Sequence, residues 1–133
     1  RELIMEMLEK YGYNAISAKG GTEAIFLFKK YDVDLVITDL RMQEMDGMAL
    51  TRLIRSENSD IPILLMSANI SSLPHDLIEK LKVTKLVSKP FDLDMLASSI
   101  GFLLGNEENI EVDKDDLILN YDEVAASENY IPK

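Results

Sequence analysis

The sequence has no cysteine and no tryptophan, and only 4 of its 133 residues are proline. Without cysteine the chain forms neither disulfides nor thiolate metal sites, and nothing in it favours an oxidising compartment. Its apolar runs have the length of single strands, far below the about 18 to 20 residues that a membrane span needs, and no signal-peptide pattern opens it. These absences predict a cytoplasmic protein that contacts no membrane.

Basic residues are also scarce, with 14 lysines and arginines against 24 acidic residues and a net charge of −10. This balance argues against binding of nucleic acid by the chain. The negative charge is unevenly distributed, because residues 106–133 hold nine acidic residues and two lysines and so carry −7 of the net charge. With 47% hydrophobic residues, the chain can form one core but not two. We therefore predict one domain over residues 1–105 and an acidic tail or linker over residues 106–133.

Hydrophobic periodicity divides the predicted domain into alternating helices and strands. Continuous apolar runs rich in β-branched residues are typical of buried parallel strands, and they lie at 33–38 and 61–68. A third clear strand at 84–90 is stopped by Pro90, and a short, mixed strand lies at 13–18. Segments with helical spacing of apolar residues flank them, at 1–12, 21–31, 47–57, 71–82 and 91–105. Such alternation with short connections predicts a doubly wound parallel sheet in a three-layer α/β/α arrangement.

Three residues with reactive side chains end three of these strands, namely Asp39, Ser67 and Lys89. The carboxyl ends of parallel strands meet at one edge of a sheet, where open α/β sheets carry their functional sites, so we expect the three side chains to converge. Taken singly, each has a simpler explanation as a loop carboxylate, a strand-end hydroxyl or a solvated cation. Their joint occurrence at one edge favours a site.

The segments DLVITDLRMQEMDG, ILLMSA and LVSKPFD, in this order and spacing, resemble the receiver domains of two-component response regulators. The resemblance covers roughly residues 1–104 and implies a flavodoxin-like fold. It implies that a sensor histidine kinase or a phosphotransfer protein passes a phosphoryl group to Asp39, and that the chain acts as a switch for an effector domain rather than as a turnover enzyme. Ser67 would follow the new phosphate, Lys89 would pair with it, and the backbone carbonyl of Arg41 would bind Mg²⁺.

Elementary chemistry agrees with these roles. A carboxylate is a weak nucleophile toward phosphorus, and a lysine together with a divalent metal offsets the repulsion between the two anions. The pair Asp46-Gly47 would shape the turn behind the site. We expect Gly47 to allow a backbone angle that other residues resist, and Asp46 to cap the following helix.

The chain departs from the family at one important place. Receivers begin with a strand that carries an acidic pair at its carboxyl end, and this chain lacks it. In the family's strand order, 2-1-3-4-5, that strand would lie between 13–18 and 33–38, and its loss would leave a gap of about 10 Å lined by unpaired backbone groups. The stretch DDLILNYDE, residues 115–123, is a candidate for a substitute strand, with Asp122 as a further Mg²⁺ ligand. Alternatively the tail is a solvated linker, and the strand is lost or comes from another molecule, as in a dimer formed by strand exchange.

Two other functions stay open at this point. The missing acidic pair and Leu86 favour a pseudo-receiver, a protein-interaction module without phosphorylation, because receivers generally carry a tyrosine or phenylalanine at the position of Leu86 whose ring turns inward on activation. An aspartyl phosphatase of similar topology would need a second acid two residues after Asp39, and Arg41 stands there. The chain has no Walker-type loop, and its single histidine, His75, has no partner at metal-ligand spacing.

Overall fold

The computed structural model describes residues 3–40, 46–105 and 117–121. Its helices are α1 (Leu3–Lys10), α2 (Gly21–Lys30), α3 (Gly47–Glu57), α4 (His75–Lys80) and α5 (Leu93–Leu103). Its strands are β1 (Asn14–Ser17), β2 (Leu35–Asp39), β3 (Ile63–Ser67), β4 (Lys85–Ser88) and β5 (Leu117–Tyr121), and a 3₁₀ turn covers Ile70–Ser72. No helix within the described ranges is long and apolar enough to cross a membrane.

The five strands form one parallel sheet in the order β1-β5-β2-β3-β4. The last strand in the chain, β5, lies between β1 and β2 and pairs with both, so that Ile118 stands opposite Ala15 on one side and Leu35 on the other. A substitute strand from the acidic tail has to pair with at least one of these two neighbours, and β5 pairs with both. The division of the chain into a receiver and a tail stays a prediction.

The two faces of the sheet carry separate hydrophobic cores. On one face, α1 and α5 cover a cluster that includes Ile4, Leu96 and Ile118, and on the other, α2 and α3 cover a cluster that includes Leu119. Ile118 and Leu119 are both fully buried, because successive residues of a strand point to opposite faces. A single short strand thus contributes to both cores, and the predicted three-layer α/β/α fold is confirmed.

Three of the helices begin at residues suited to a helix start, and the cap predicted at Asp46 is present. Asp46 caps α3, and its side chain accepts a hydrogen bond of 2.8 Å from the backbone N–H of Ala49. Asp92 caps α5, and its side chain accepts hydrogen bonds from the backbone N–H groups of Asp94 and Met95. Pro74 immediately precedes α4, where its missing N–H does not interrupt the helix. These caps fix where the chain enters the helices that border the carboxyl edge of the sheet.

Candidate functional site

The three reactive side chains predicted to converge lie at neighbouring strand ends. Asp39 is the last residue of β2, Ser67 is the last of β3, and Lys89 follows β4. The strand pairing continues one residue beyond these ends, because the N–H of Leu40 donates to the carbonyl of Met66 and the N–H of Lys89 donates to the carbonyl of Ser67, each over 2.9 Å. Backbone hydrogen bonds therefore hold the carboxylate, the hydroxyl and the amine side by side.

These side chains line a cavity of about 310 Å³ that opens at this edge of the sheet. Asp39 is 3% exposed and Ser67 is 6% exposed, whereas one third of the Lys89 side chain is exposed. The Nζ atom of Lys89 contacts Oδ2 of Asp39 as a hydrogen-bonded ion pair. The structure thus brings together an acidic, a hydroxyl and a cationic group, and their chemical roles stay predictions.

Two polar residues that the sequence analysis did not single out also line the cavity, Asn69 and Ser72. The hydroxyl of Ser67 accepts a hydrogen bond of 3.1 Å from the N–H of Asn69, and the hydroxyl of Ser72 donates to the carbonyl of Asn69 over 3.0 Å. The only signal for them in the sequence is their place in the small polar run that follows β3. They form the wall of the cavity on the side of α4.

Gly47 lies behind the site for a reason other than the predicted one. Its φ is not positive, so its backbone does not require glycine. Instead, a Cβ atom at this position would lie 2.6 Å from the carbonyl oxygen of Asp39, 2.9 Å from Cδ1 of Leu65 and 3.1 Å from Cα of Leu40. The N–H of Gly47 also donates to the carbonyl of Leu40 over 2.9 Å. Close backbone approach, rather than an unusual angle, therefore accounts for the glycine, and the prediction about the angle was wrong.

Two of the predicted metal-binding residues, Arg41 and Asp122, lie outside the described residues. Within the described ranges no group of three or more histidine or acidic side chains could hold a metal ion, and Asp39 is the carboxylate among the described residues that line the cavity. Carboxylate oxygens suit Mg²⁺, so Asp39 fits as one ligand, and any further carboxylate ligand has to come from a residue other than the described ones that line the cavity. The described part of β5 ends at Tyr121, which pairs with Thr38, the residue before Asp39.

Leu86, which replaces the aromatic residue expected in most receivers, lies in β4 opposite Leu65. It is partly buried against the cluster formed by Met48, Leu65, Leu73 and Ile78, which fills the space between the sheet and α4. Leu86 therefore packs as an ordinary core-edge residue in this state.

Comparison with known proteins agrees with this geometry. Residues 1–101 match the sequence model of the response regulator receiver domain. The transcriptional regulatory protein ZraR of Escherichia coli (strain K12) is 33% identical over 113 residues, which is 84% of this chain and 25% of that protein. The sensor protein EvgS of the same organism is 32% identical over 103 residues, 77% of this chain and 9% of that protein. The chain thus spans a quarter or less of the length of these relatives.

Solved structures show the same fold. The receiver domain of the sensor histidine kinase PA1611 from Pseudomonas aeruginosa PAO1 superposes with a TM-score of 0.70 at 24% identity, covering 77% of this chain and 86% of that one. That structure has a magnesium ion coordinated in its active-site cleft. At this identity the likeness supports the fold alone, and the matches do not favour the alternative of a pseudo-receiver.

Proposed function

We propose that this chain, which belongs to the response regulator receiver domain family, accepts a phosphoryl group on Asp39 and changes conformation in response. The observation that carries the proposal is the ion pair between Lys89 and Asp39 in a cavity that Ser67 also lines. In the transfer step, an oxygen of Asp39 forms a bond to phosphorus while the bond from phosphorus to a donor imidazole breaks. The imidazole leaves with the electron pair and takes up a proton.

Lys89 supplies the positive charge that such a transfer needs. An approaching phosphoryl group is anionic, as is Asp39, and a fixed ammonium at the carboxylate lowers the repulsion between them. Because the strand ladder holds the backbone of Lys89, its charge is in place before the donor arrives. After transfer, the same ammonium can pair with an oxygen of the phosphoryl group, which then replaces the carboxylate as its anionic partner.

We propose Mg²⁺ as the resident cofactor of the site. A bound Mg²⁺ would neutralise charge on the phosphoryl oxygens. In this chain the carboxylate of Asp39, the backbone carbonyl of Arg41 and the carboxylate of Asp122 would hold it. Support for Asp122 comes from the register of β5, since Tyr121 pairs with Thr38 and Asp122 is the next residue in the sequence.

Ser67 would report the presence of the phosphate. Its oxygen accepts a hydrogen bond from the N–H of Asn69, so its own proton stays available for donation. A phosphoryl oxygen on Asp39 is a strong acceptor, and the Ser67 hydroxyl can donate to it while its oxygen keeps the hydrogen bond from the N–H of Asn69. The residues after Ser67 would then shift toward the phosphate, and this shift is the output of the switch.

We further propose that β5 takes the place between β1 and β2 that the first strand holds in the family's strand order. The strand fills the gap between β1 and β2 and buries Ile118 and Leu119 in the two cores. The same strand from a second copy of the chain could occupy this position, giving a dimer by strand exchange. A sensor histidine kinase or phosphotransfer protein is the proposed donor in the cell, and an effector domain is the proposed recipient of the signal.

A labelling experiment tests the proposal. The full chain is incubated with Mg²⁺ and acetyl phosphate, and the gain of one phosphoryl group is followed by intact mass. We expect labelling of the natural chain and of an Asp32→Asn control, which alters an exposed acid shortly before β2, and loss of labelling in Asp39→Asn. A chain that is folded but never labelled would instead support the interaction-only alternative.

A further inference from the structure

The segment that leads from the cavity to α4 is joined to Ser67 by the hydrogen bond from the N–H of Asn69, and it packs on the core through Leu73. Asn69 and Ser72 line the cavity, and α4 then begins after Pro74, which provides no side-chain cap. Within α4 itself, whose six residues are all described, Ile78 alone is buried. A helix of this length has little stability of its own and depends on its tertiary contacts. What fixes the other end of α4 therefore decides how the segment can move.

The guanidinium of Arg55, in the last turn of α3, fixes that other end. Its Nε donates to the carbonyl of Leu81 over 2.7 Å, and its Nη2 donates to the carbonyl of Lys82 over 2.8 Å. These two carbonyls belong to the turn that closes α4, where helix geometry leaves acceptors without intrahelical donors. A third bond, from Nη1 to the carbonyl of Asn58 over 3.2 Å, reaches the C-cap of α3. One planar side chain thus joins the C-terminal ends of two helices.

The surroundings of Arg55 strengthen this connection. Burial lowers the pKa of Arg55, and the nearby carboxylate of Asp60 raises it in part. An arginine stays charged over the whole range in which proteins fold, so its three bonds are charge-assisted, and the bond to Leu81 is partly buried. Lys82, whose carbonyl accepts from Arg55, lies in the left-handed region with φ of 56°. The turn after α4 is therefore anchored to α3 by one side chain.

We propose that Arg55 is a positioning residue of the phosphorylation switch: it anchors the C-terminal end of α4, so that displacement of Ser67 turns the segment 68–78 about that end. This inference rests on the proposed function of Asp39. With the anchor in place, the wall formed by Asn69 and Ser72 closes on the phosphate in one defined position. Without it, the wall moves together with α4 and admits water to the acyl phosphate.

Two measurements on the full chain follow from this role. The half-life of the phosphoryl group, after labelling with acetyl phosphate in Mg²⁺ and removal of the donor, should fall about three- to tenfold in Arg55→Met. Amide hydrogen exchange should change on labelling within 68–78 of the natural chain while 81–83 stays protected, and in Arg55→Met the change should extend into 81–83. Arg55→Lys keeps the charge but not the planar guanidinium, so its half-life and exchange pattern should lie between those of the natural chain and those of Arg55→Met.

A control separates this role from a general contribution to stability. Ile16→Val shortens a buried side chain of β1 in the core under α2, away from α4, and should lower Tm without changing either measurement. If Arg55→Met lowers Tm and leaves the half-life and the exchange pattern as in Ile16→Val, the proposal is wrong. If Arg55→Met does not fold, the same criteria decide it on Arg55→Lys. Failure to label the natural chain at all would count against the role of Asp39, whereas labelling with an unchanged half-life in the variants would count against Arg55.

Discussion

Replacing Gly47 with alanine tests whether the helix behind the site must approach it as closely as the structure shows. The added Cβ would lie 2.6 Å from the carbonyl oxygen of Asp39 and 2.9 Å from Cδ1 of Leu65, and backbone cannot move aside as a flexible side chain can. Overpacking of this kind typically costs about 1 to 3 kcal/mol. Alanine would recover at most about 1 kcal/mol through its better helix propensity. Because the 2.6 Å contact is with backbone, we place the cost at about 2 to 3 kcal/mol and expect the free energy of unfolding to fall by about 1 to 2 kcal/mol.

The displacement should also reach the acceptor residue. The atom nearest to the new Cβ is the backbone oxygen of Asp39 itself, so relief of the clash moves the carboxylate relative to Lys89 and Ser67. Displacements on the order of 1 Å at a reacting group can cost up to about 100-fold in rate. Thermal unfolding followed by circular dichroism should show Tm lower by about 3 to 10 °C. The rate of labelling by acetyl phosphate should fall by at least about tenfold.

Gly105→Ala is the matched control. Gly105 has φ of 82°, so alanine is strained there, but its Cβ would meet nothing within 4 Å. This variant should lose stability of a similar size, about 1 kcal/mol, and keep the labelling rate of the natural chain. If Gly47→Ala labels as fast as Gly105→Ala, or is as stable as the natural chain, the account of the close approach is wrong.

Three further predictions follow from the described contacts. Lys89→Met removes the ammonium that contacts Asp39 and should slow labelling by about 100-fold or more, while far-UV circular dichroism stays that of the folded chain. An unchanged labelling rate would refute the electrostatic role of Lys89. Lys82→Gly removes the strain of a positive φ of 56° and keeps the carbonyl that Arg55 binds, so the chain should gain about 0.5 to 1 kcal/mol in free energy of unfolding. The midpoint of urea unfolding should rise accordingly, and a fall would contradict this. Ile118→Asp places a charge at a fully buried position of β5 and should cost more than about 3 kcal/mol; near-natural stability would show that β5 is dispensable.

The sequence sufficed for the architecture because its signals are local and strong. Continuous β-branched runs specify buried parallel strands, and topology alone then brings Asp39, Ser67 and Lys89 to one edge. The candidate strand in the acidic tail could likewise be named from its composition and from the gap that it would fill. Its register against β1 and β2 needed the structure, because two short apolar strands can pair in several registers that bury the same faces.

Features that depend on backbone from several segments were not visible in the sequence. The true reason for Gly47 lies in its distance from Asp39 and Leu65, whereas the sequence suggested only the usual preference of glycine for unusual angles. Arg55 gave no signal, because its partners are the carbonyls of Leu81 and Lys82, and every residue type carries such a group. Non-local hydrogen bonds to backbone therefore mark the limit of what pattern and propensity can predict.

The central claim is that Asp39 receives the phosphoryl group, and chemical mapping of the modified residue tests it most directly. After labelling with acetyl phosphate in Mg²⁺, borohydride reduction converts an aspartyl phosphate into homoserine, which tandem mass spectrometry locates within the peptide. The account predicts homoserine at position 39 in the natural chain. Homoserine at another aspartate, or none in a chain that is folded and saturated with Mg²⁺, would contradict it.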